Sequence, residues 1–262
     1  MRLHTHEWGD PDAPPVVCLH GVTGHGDRFR KLAEERLARR FHVVALDLRG
    51  HGRSTWDEPW DLGTHIADVL ESVEGPATWI GHSFGGRLVM EITAKRPELV
   101  QRAGLLDPAI FAPPQIARGL AEEELVERSF GSVEEAIAAR EVSGGLVSTP
   151  RALLEEEMSV HLAAGEDGRF RYRYSQPSVA AAYLEIGTPP PPYEALRVPT
   201  LLVVGAHSKI VSAGESELYR AALGDLLRVV VVPGGHIVLW DAFDETADAI
   251  EGFLDRLEPV ST

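Results

Sequence analysis

Ser83 stands at the centre of the pattern Gly-x-Ser-x-Gly, which residues 81–85 match as Gly-His-Ser-Phe-Gly. Apolar residues 77–80 come directly before it, and residues 88–92 after it have helical spacing. A serine on a tight turn between a strand and a helix needs small flanking residues, because its hydroxyl must project above the sheet. The pattern alone is often an ordinary turn, but in this context it predicts that Ser83 is a nucleophile.

A serine hydroxyl is a poor nucleophile at neutral pH unless a base accepts its proton. Among the 11 histidines, His236 follows the apolar run 229–232 in a Pro-Gly-Gly-His turn, ahead of the last helical segment. This position predicts a loop at the carboxyl end of a sheet, so we predict His236 as the base. Strand or helix patterns, typical of surface or packed imidazoles, surround His4, His6, His42, His65 and His161.

Two backbone amides are predicted to stabilise the negative charge that forms when the serine attacks. Residues 20–22 (His-Gly-Val) follow the apolar run 16–19, and a glycine there lets the backbone approach a ligand. The N–H groups of Val22 and Phe84 are therefore the predicted oxyanion hole. A plain glycine turn at 20–22 is the alternative interpretation.

Apolar runs that are too short for helices recur along the chain and predict buried strands at 16–20, 41–47, 77–82, 103–107, 200–206 and 227–232. Helical spacing between most of them predicts helices at 28–39, 62–73, 88–95, 213–223 and 242–257. This alternation predicts an α/β fold, with a mostly parallel sheet covered by helices on both faces. The weak alternation of residues 2–8, followed by a turn-rich segment, predicts an antiparallel edge strand.

The alternation is interrupted between residues 111 and 197. Acidic helical segments are predicted at 119–128, 133–141 and 152–163, followed by an Arg- and Tyr-rich run at 169–174 and a proline-rich segment at 188–193. We predict a core of residues 1–110 and 198–262, with 111–197 as a helical insertion. The 169–174 run either supplies aromatic walls and a carboxylate-binding arginine or is a solvated amphipathic strand, and the proline-rich segment is either a hinge or a surface spacer.

Charge and composition limit the classes of partner. With 25 Lys and Arg against 40 Asp and Glu, the formal net charge of −15 repels phosphate backbones and anionic lipids, so neither nucleic acid nor a membrane is an expected partner. Cys18 is the only cysteine, which excludes an intramolecular disulfide, and its apolar setting favours a core position over a catalytic thiol. With no signal-peptide pattern and no long apolar span, we expect a cytoplasmic protein, and its oligomeric state is left open.

Taken together, these motifs resemble the α/β-hydrolase superfamily. The resemblance covers nearly the whole chain and rests on motifs in the expected order at successive strand ends, namely residues 20–21, 47–54 (Asp-Leu-Arg-Gly-His-Gly-Arg-Ser), 81–86 and 234–236. It implies an eight-stranded sheet with a helical cap inserted after the sixth strand. It also implies Ser83 as nucleophile, His236 as base, and the Val22 and Phe84 amides as oxyanion donors.

At the position where the family commonly has the acid that orients the base, this chain departs from the family pattern. The acid commonly follows the seventh strand, where this chain has Ser208, and a serine cannot carry the negative charge that stabilises an imidazolium. Some members of the superfamily take the acid from the end of the sixth strand, where this chain has Asp107. We therefore predict Asp107 as the third member, although an aspartate before proline is also a good turn former. Asp241 is a weaker candidate, since we expect it to belong to the last helix.

The resemblance implies acyl transfer rather than epoxide or haloalkane chemistry, because the nucleophile is a serine and not an aspartate. We expect a carboxylesterase-like serine hydrolase of small acyl substrates that forms an acyl-enzyme and needs no metal or organic cofactor. Thioesters, lactones, carbon–carbon bonds beside a ketone and perhydrolase chemistry stay open, because a fold does not determine a reaction. A ligand-binding protein with decayed catalytic residues is the alternative from a different class, and Ser208 is the residue that favours it.

Overall fold

A seven-stranded sheet organises the computed structural model, which describes residues 1–143 and 145–255. The strands in chain order are β1 (Thr5–Trp8), β2 (Pro15–Leu19), β3 (His42–Leu46), β4 (Ala77–His82), β5 (Val100–Leu106), β6 (Leu162–Ala164), β7 (Phe170–Tyr172), β8 (Thr200–Gly205) and β9 (Leu227–Val232). Their order in the sheet is β1-β3-β2-β4-β5-β8-β9, and β6 pairs with β7 in a separate hairpin. Only β1 runs antiparallel to its neighbour in the main sheet.

Helices lie between most of the strands. They are α1 (Arg30–Leu32), α2 (Leu62–Ser72), α3 (Phe84–Lys95), α4 (Pro114–Glu124), α5 (Val133–Ser143), α6 (Arg151–His161), α7 (Gln176–Ile186), α8 (Ala213–Leu223), α9 (Val238–Asp241) and α10 (Phe243–Leu254). Within the described residues, none of them has both the length and the apolar character needed to cross a bilayer.

The sheet lies between two apolar clusters, one on each face, so its central strands are buried on both faces. Alternate residues of β2 show the division: Val17 packs with residues of α2, α3 and α8, while Val16 packs with residues of α1 and α10. Val16 and Val17 are both 0% exposed. Burial on both faces explains why these strands are continuous apolar runs rather than alternating patterns.

The predicted α/β architecture is confirmed, but the implied count of eight strands is wrong for the described chain. One extended segment, β1, precedes the parallel strands, and the turn after it leads directly into β2, so there is one outer antiparallel strand. The long insertion therefore follows the fifth strand rather than the sixth. The predicted helix 28–39 is a succession of a 3₁₀ turn, α1 and a π-helical turn at Ala33–Leu37.

The last helix and the insertion also differ from the predictions in detail. The predicted helix 242–257 begins as α10 at Phe243, and its residues 256–257, like the predicted core residues 256–262, lie outside the described residues. Between β5 and β8 the chain forms α4, α5, α6, the β6–β7 hairpin and α7, a helix that the sequence patterns did not predict. Residues 170–172 of the 169–174 run form β7, but the run is not a solvated strand, because Phe170, Arg171 and Tyr172 are partly buried and Tyr174 is buried.

The carboxyl ends of the parallel strands meet at one edge of the sheet. Position 83 follows β4, position 107 follows β5 and position 236 lies in the turn after β9. Because neighbouring parallel strands end together, loops that are far apart in the sequence become neighbours here. This edge therefore holds Ser83, Asp107 and His236.

Asp47, at the end of β3, links the first strands through a buried carboxylate. Its Oδ1 accepts a hydrogen bond from the Gly26 amide at 2.7 Å and lies 3.1 Å from His6 Nε2, while its Oδ2 accepts from the Arg53 amide at 2.9 Å. Burial acts to raise the pKa of Asp47, but these hydrogen bonds hold that pKa below its ordinary value of 3.8. The ionised side chain thus stabilises the fold.

Replacing Asp47 with alanine leaves the buried amide of Gly26 and the amide of Arg53 without their acceptor, so we expect Asp47→Ala to lower the free energy of unfolding by about 3 kcal/mol at pH 7. Because the folded-state pKa is depressed, this contribution is complete above pH 3.8 and is lost as the pH falls below it. Urea unfolding followed by circular dichroism from pH 7 to pH 3 measures both effects. The exposed Asp12→Ala variant is the control, and equal midpoints for Asp47→Ala and wild type at pH 7 would contradict this assignment.

Candidate active site

Ser83 joins β4 to α3 in a strained turn. Its φ of 55° and ψ of −119° lie in a region that residues with a side chain rarely adopt. The turn also requires its two glycines, because a Cβ on Gly81 would lie 2.3 Å from the Gly85 carbonyl oxygen, and one on Gly85 would lie 2.1 Å from the Leu19 carbonyl oxygen. Close backbone packing is therefore the physical reason for the Gly-x-Ser-x-Gly pattern in this chain.

Ser83, His236 and Asp107 form one hydrogen-bonded line. His236 Nε2 lies 3.0 Å from Ser83 Oγ, and its Nδ1 lies 2.7 Å from Asp107 Oδ2. The side chain of His236 is 26% exposed, whereas that of Asp107 is 0% exposed. With Nδ1–H donating to the carboxylate, Nε2 presents its lone pair to the serine hydroxyl, which is the arrangement that activates a serine as a nucleophile.

The carboxylate of Asp107 has further hydrogen-bond donors besides His236. Ser208 Oγ donates to Oδ2 at 2.5 Å, and the Gly205 amide donates to Oδ1 at 3.2 Å. Asp107 itself adopts a φ of 42° at the end of β5. Ser208 thus contributes a hydroxyl donor from the position where the family commonly has its acid, and the carboxylate that contacts His236 comes from the neighbouring strand.

Asp241, the weaker candidate for the acid, has a different set of partners. Its carboxylate accepts from the Gly235 amide at 2.7 Å, from the Val147 amide at 3.2 Å and from the Thr149 hydroxyl at 2.5 Å. These contacts tie the His236 turn to the insertion. The structure therefore brings Asp107, and not Asp241, to the imidazole.

The predicted oxyanion amides lie on the two loops beside Ser83. Val22 lines the same cavity as Ser83, and Phe84 is the first residue of α3. Neither N–H group donates a hydrogen bond within the part of the chain that the structure describes. Amide donors that are left free at such a position are available to an oxyanion.

Two histidines that the sequence patterns did not select hold the Val22 loop. His20 Nε2 accepts from the Leu48 amide at 2.9 Å, so its Nδ1–H donates to the Gly21 carbonyl at 2.7 Å. His51 Nε2 lies 2.6 Å from the Val22 carbonyl oxygen. Burial lowers the pKa of both histidines, which keeps them neutral. Both belong to motifs that carried the resemblance, but only the long-range contacts reveal what they do.

A cavity of about 1350 Å³ opens over the serine and the imidazole. Its walls come from the loops of the core and from the segment between β5 and β8. Lining residues from that segment include Phe111, Ile116, Phe130, Arg140, Tyr172 and Tyr183. The cavity is mostly apolar and aromatic, as is typical of sites for small organic ligands.

The arginine that was expected from the 169–174 run does not reach the cavity. Arg169 donates to Ser129, Arg171 pairs with Glu127 and Asp167, and Arg173 donates to the Leu162 carbonyl, so none of the three lines the cavity. The aromatic part of that expectation fits the structure, because Tyr172 and Tyr174 line the cavity. The arginines that line it are others, and they include Arg28 and Arg140.

Two clusters of metal-ligating side chains lie away from the serine. One consists of His4, His6 and Asp47, and the other of His25, Glu157 and His161, with ligand atoms within 4.8 Å of one another in each case. Both carboxylates already have protein partners, since Asp47 accepts from two backbone amides and Glu157 pairs with Arg28. Neither cluster contributes a side chain to the cavity.

Comparisons with known proteins place the chain among hydrolases. A family model described as alpha/beta hydrolase fold matches residues 14–243. The lipase LipV of Mycobacterium tuberculosis is 31% identical over 190 residues, which cover 71% of this chain and 72% of that lipase. The 2-(acetamidomethylene)succinate hydrolase of Mesorhizobium japonicum is 30% identical over 267 residues, which cover 97% of this chain and 92% of that hydrolase.

The solved structures agree with these similarities. A crystal structure of E-2-(acetamidomethylene)succinate hydrolase has a TM-score of 0.83 to this chain at 26% identity. The match covers 97% of this chain and 95% of that one, so it includes the segment between β5 and β8 as well as the sheet.

We expect Asp107→Asn to slow the reaction of Ser83 with a fluorophosphonate by on the order of 10⁴-fold, because an amide neither stabilises the imidazolium nor selects the required tautomer of His236. The rate of adduct formation, followed by intact mass, measures this effect. Asp225→Asn, an exposed substitution, is the control. A labelling rate within a factor of three of wild type would exclude Asp107 as the acid.

Ser208 offers a test of whether the acid can move between strands. Ser208→Asp alone places a second carboxylate against Asp107. One of the two carboxyl groups must then be protonated, so we expect the fluorophosphonate to label Ser83 more slowly. In the double variant Asp107→Asn with Ser208→Asp, only one carboxylate is present, and we expect labelling faster than in Asp107→Asn alone. No gain in the double variant would show that position 208 cannot reach His236.

Proposed function

Because this chain belongs to the alpha/beta hydrolase fold family and is a hydrolase, we propose that it cleaves small carboxylic esters, with Ser83 as its nucleophile. The observation that carries the proposal is the line from Asp107 through His236 to Ser83, at 2.7 and 3.0 Å. A serine, a base that accepts its proton and a carboxylate that orients the base are the parts that acyl transfer requires.

In the first half of the proposed reaction, Ser83 Oγ attacks the ester carbonyl carbon while His236 Nε2 accepts the hydroxyl proton. The carbonyl oxygen becomes an oxyanion, which the free amides of Val22 and Phe84 stabilise. Asp107 stabilises the imidazolium through its hydrogen bond to Nδ1. The bond to the alcohol oxygen then breaks, that oxygen takes the proton from His236, and an acyl-enzyme remains.

In the second half, water enters from the cavity and attacks the acyl carbon. His236 accepts a proton from the water, the same amides stabilise the second oxyanion, and the bond to Ser83 Oγ breaks as the serine regains its proton. The products are the alcohol and the carboxylic acid. Every proton transfer in this scheme takes place at His236 Nε2.

The segment 111–197 is proposed to act as a cap that selects the substrate. Two contacts support this role. Its residues Phe130 and Ile137 pack with Ile237 and Trp240 in one apolar cluster, directly after His236. The same segment supplies much of the cavity wall. Changes in this segment would therefore alter which acyl compounds fit without altering the serine or its base.

Esters are placed first among acyl substrates because of the similarity to a lipase. Thioesters, lactones, carbon–carbon bonds beside a ketone and peracid formation use the same nucleophile and base, so substrate assays must separate them. Location in the cytoplasm and the lack of a nucleic acid partner stay predictions from the sequence.

We expect the purified protein to form one covalent adduct with a fluorophosphonate and to hydrolyse p-nitrophenyl butyrate. Ser83→Ala removes the attacking oxygen, so the adduct should disappear and hydrolysis should fall at least about 10³-fold. Intact-mass spectrometry measures the adduct. Absorbance at 405 nm, roughly the maximum of the nitrophenolate that this nucleophilic reaction releases, measures ester hydrolysis. Ser159→Ala, at an exposed serine of α6, is the matched control.

A folded wild-type protein that forms no adduct would overturn the proposal and favour a ligand-binding protein with decayed catalytic residues. An adduct without ester hydrolysis would retain Ser83 as the nucleophile and direct the search to thioesters, lactones and ketones. An adduct that persists in Ser83→Ala would place the reactive group elsewhere.

A further inference from the structure

The cavity above Ser83 contains two guanidinium groups close to each other. Arg28, from the loop before α1, and Arg140, from α5, both line it. Their Cζ atoms lie 4.9 and 5.9 Å from the centre of the Trp240 ring, so one indole contacts both cations. Two positive charges gathered at one apolar surface repel each other unless anions balance them.

One carboxylate balances one of these charges. Glu157 accepts hydrogen bonds from Arg28 Nε at 2.8 Å and from Arg28 Nη2 at 2.6 Å, while its other oxygen lies 3.0 Å from His25 Nε2. The side chain of Glu157 is only 5% exposed, and the positive charge of Arg28 contributes to holding its pKa well below the usual range, against the effect of burial. Arg28 is therefore a neutralised part of the wall.

Arg140 has no such partner. Among the residues that the structure describes, no carboxylate lies within ion-pair distance of its guanidinium, and its Nε is buried without a hydrogen-bond acceptor. Burial and the charge of Arg28 lower the pKa of Arg140. The side chain of Arg140 is partly buried and lines the cavity, and an unpaired cation at such a position is typical of a functional site.

Glu123, Glu124 and Glu135 line the cavity, and none of these carboxylates lies within ion-pair distance of Arg140. Glu124 accepts from the Tyr174 hydroxyl at 2.8 Å and lies 3.8 Å from Arg128. Glu135 accepts from the Gly131 amide at 2.6 Å. An anion that enters the cavity can therefore serve as the counterion of Arg140.

We propose that Arg140 binds a carboxylate of the substrate, so that the preferred esters carry a second, anionic group. This inference rests on the proposed function of Ser83 and adds the substrate class. A guanidinium binds a carboxylate through two parallel N–H donors, which aligns the substrate as well as holding it. The apolar walls then contact the carbon chain between the carboxylate and the ester, and Tyr172 adds an aromatic wall beside Arg140.

The first test compares esters that differ only in charge. The charged probes are the mono-p-nitrophenyl esters of succinate, glutarate and adipate, and each is paired with the neutral ester of equal chain length, such as p-nitrophenyl valerate for glutarate. A fourth pair, 3-carboxyphenyl and phenyl butyrate, places the charge on the leaving group. For at least one pair, we expect wild type to have the higher kcat/KM for the charged member.

In Arg140→Met, we expect the ratio of kcat/KM for charged over neutral ester to fall by on the order of 100-fold, mainly through KM, because a hydrogen-bonded charge pair is lost. Arg118→Met, at an exposed arginine of α4 that does not line the cavity, should retain the wild-type ratio. An equal ratio in wild type and Arg140→Met for every pair would overturn the inference. Arg140→Gln, which keeps a polar side chain, is the second variant if Arg140→Met fails to fold.

A second measurement does not depend on catalysis. In the Ser83→Ala background, glutarate should raise Tm at constant ionic strength, whereas valerate or added NaCl should not, and the rise should disappear in Ser83→Ala with Arg140→Met. If glutarate stabilises the protein through Arg140 but wild type forms no serine adduct, the anion site at Arg140 is supported and the proposed ester hydrolysis is rejected. If the adduct and ester hydrolysis are present but neither the glutarate effect on Tm nor the preference for charged esters depends on Arg140, only the inference on substrate class is rejected.

Discussion

A fully buried carboxylate is tolerated only when hydrogen-bond donors surround it, and the arrangement of the site depends on how Asp107 meets this constraint. Its donors come from separate segments: the imidazole of His236 from the turn after β9, and the Ser208 hydroxyl and the Gly205 amide from the end of β8 and the loop after it. Asp107 itself ends β5. One charge therefore couples the ends of three strands, and the direction of the imidazole follows from that coupling.

The same constraint gives a physical account of the serine at position 208. A carboxylate there would place a second negative charge beside the fully buried carboxylate of Asp107. A hydroxyl at 208 instead donates to Asp107 and satisfies one of its lone pairs. With the carboxylate at position 107, a hydroxyl donor at position 208 therefore stabilises it, whereas a second carboxylate would not.

Charge acts differently at the scale of the whole chain and at the scale of the cavity. The formal net charge of −15 disfavours association with anionic polymers, yet the residues that line the cavity include Arg28, Arg128, Arg140 and Lys209 against three glutamates. In an apolar cavity the local charges dominate, because screening by water and salt is weak there. The overall acidity therefore gives no information about the charge of the substrate that we propose.

The sequence by itself determined the alternation of strands and helices, the turn at Ser83 and the position of His236 after the last strand. These features depend on neighbours along the chain, such as apolar runs and glycines, and parallel strands must end at one edge of the sheet, so the meeting of Ser83 with His236 could be predicted. The tertiary structure decided the rest: seven strands rather than eight, Asp107 rather than Asp241 at the imidazole, and Arg140 rather than Arg169 or Arg171 in the cavity. These outcomes depend on contacts between residues far apart in the sequence, 129 positions for Asp107 and His236, across an insertion whose path no local pattern specifies.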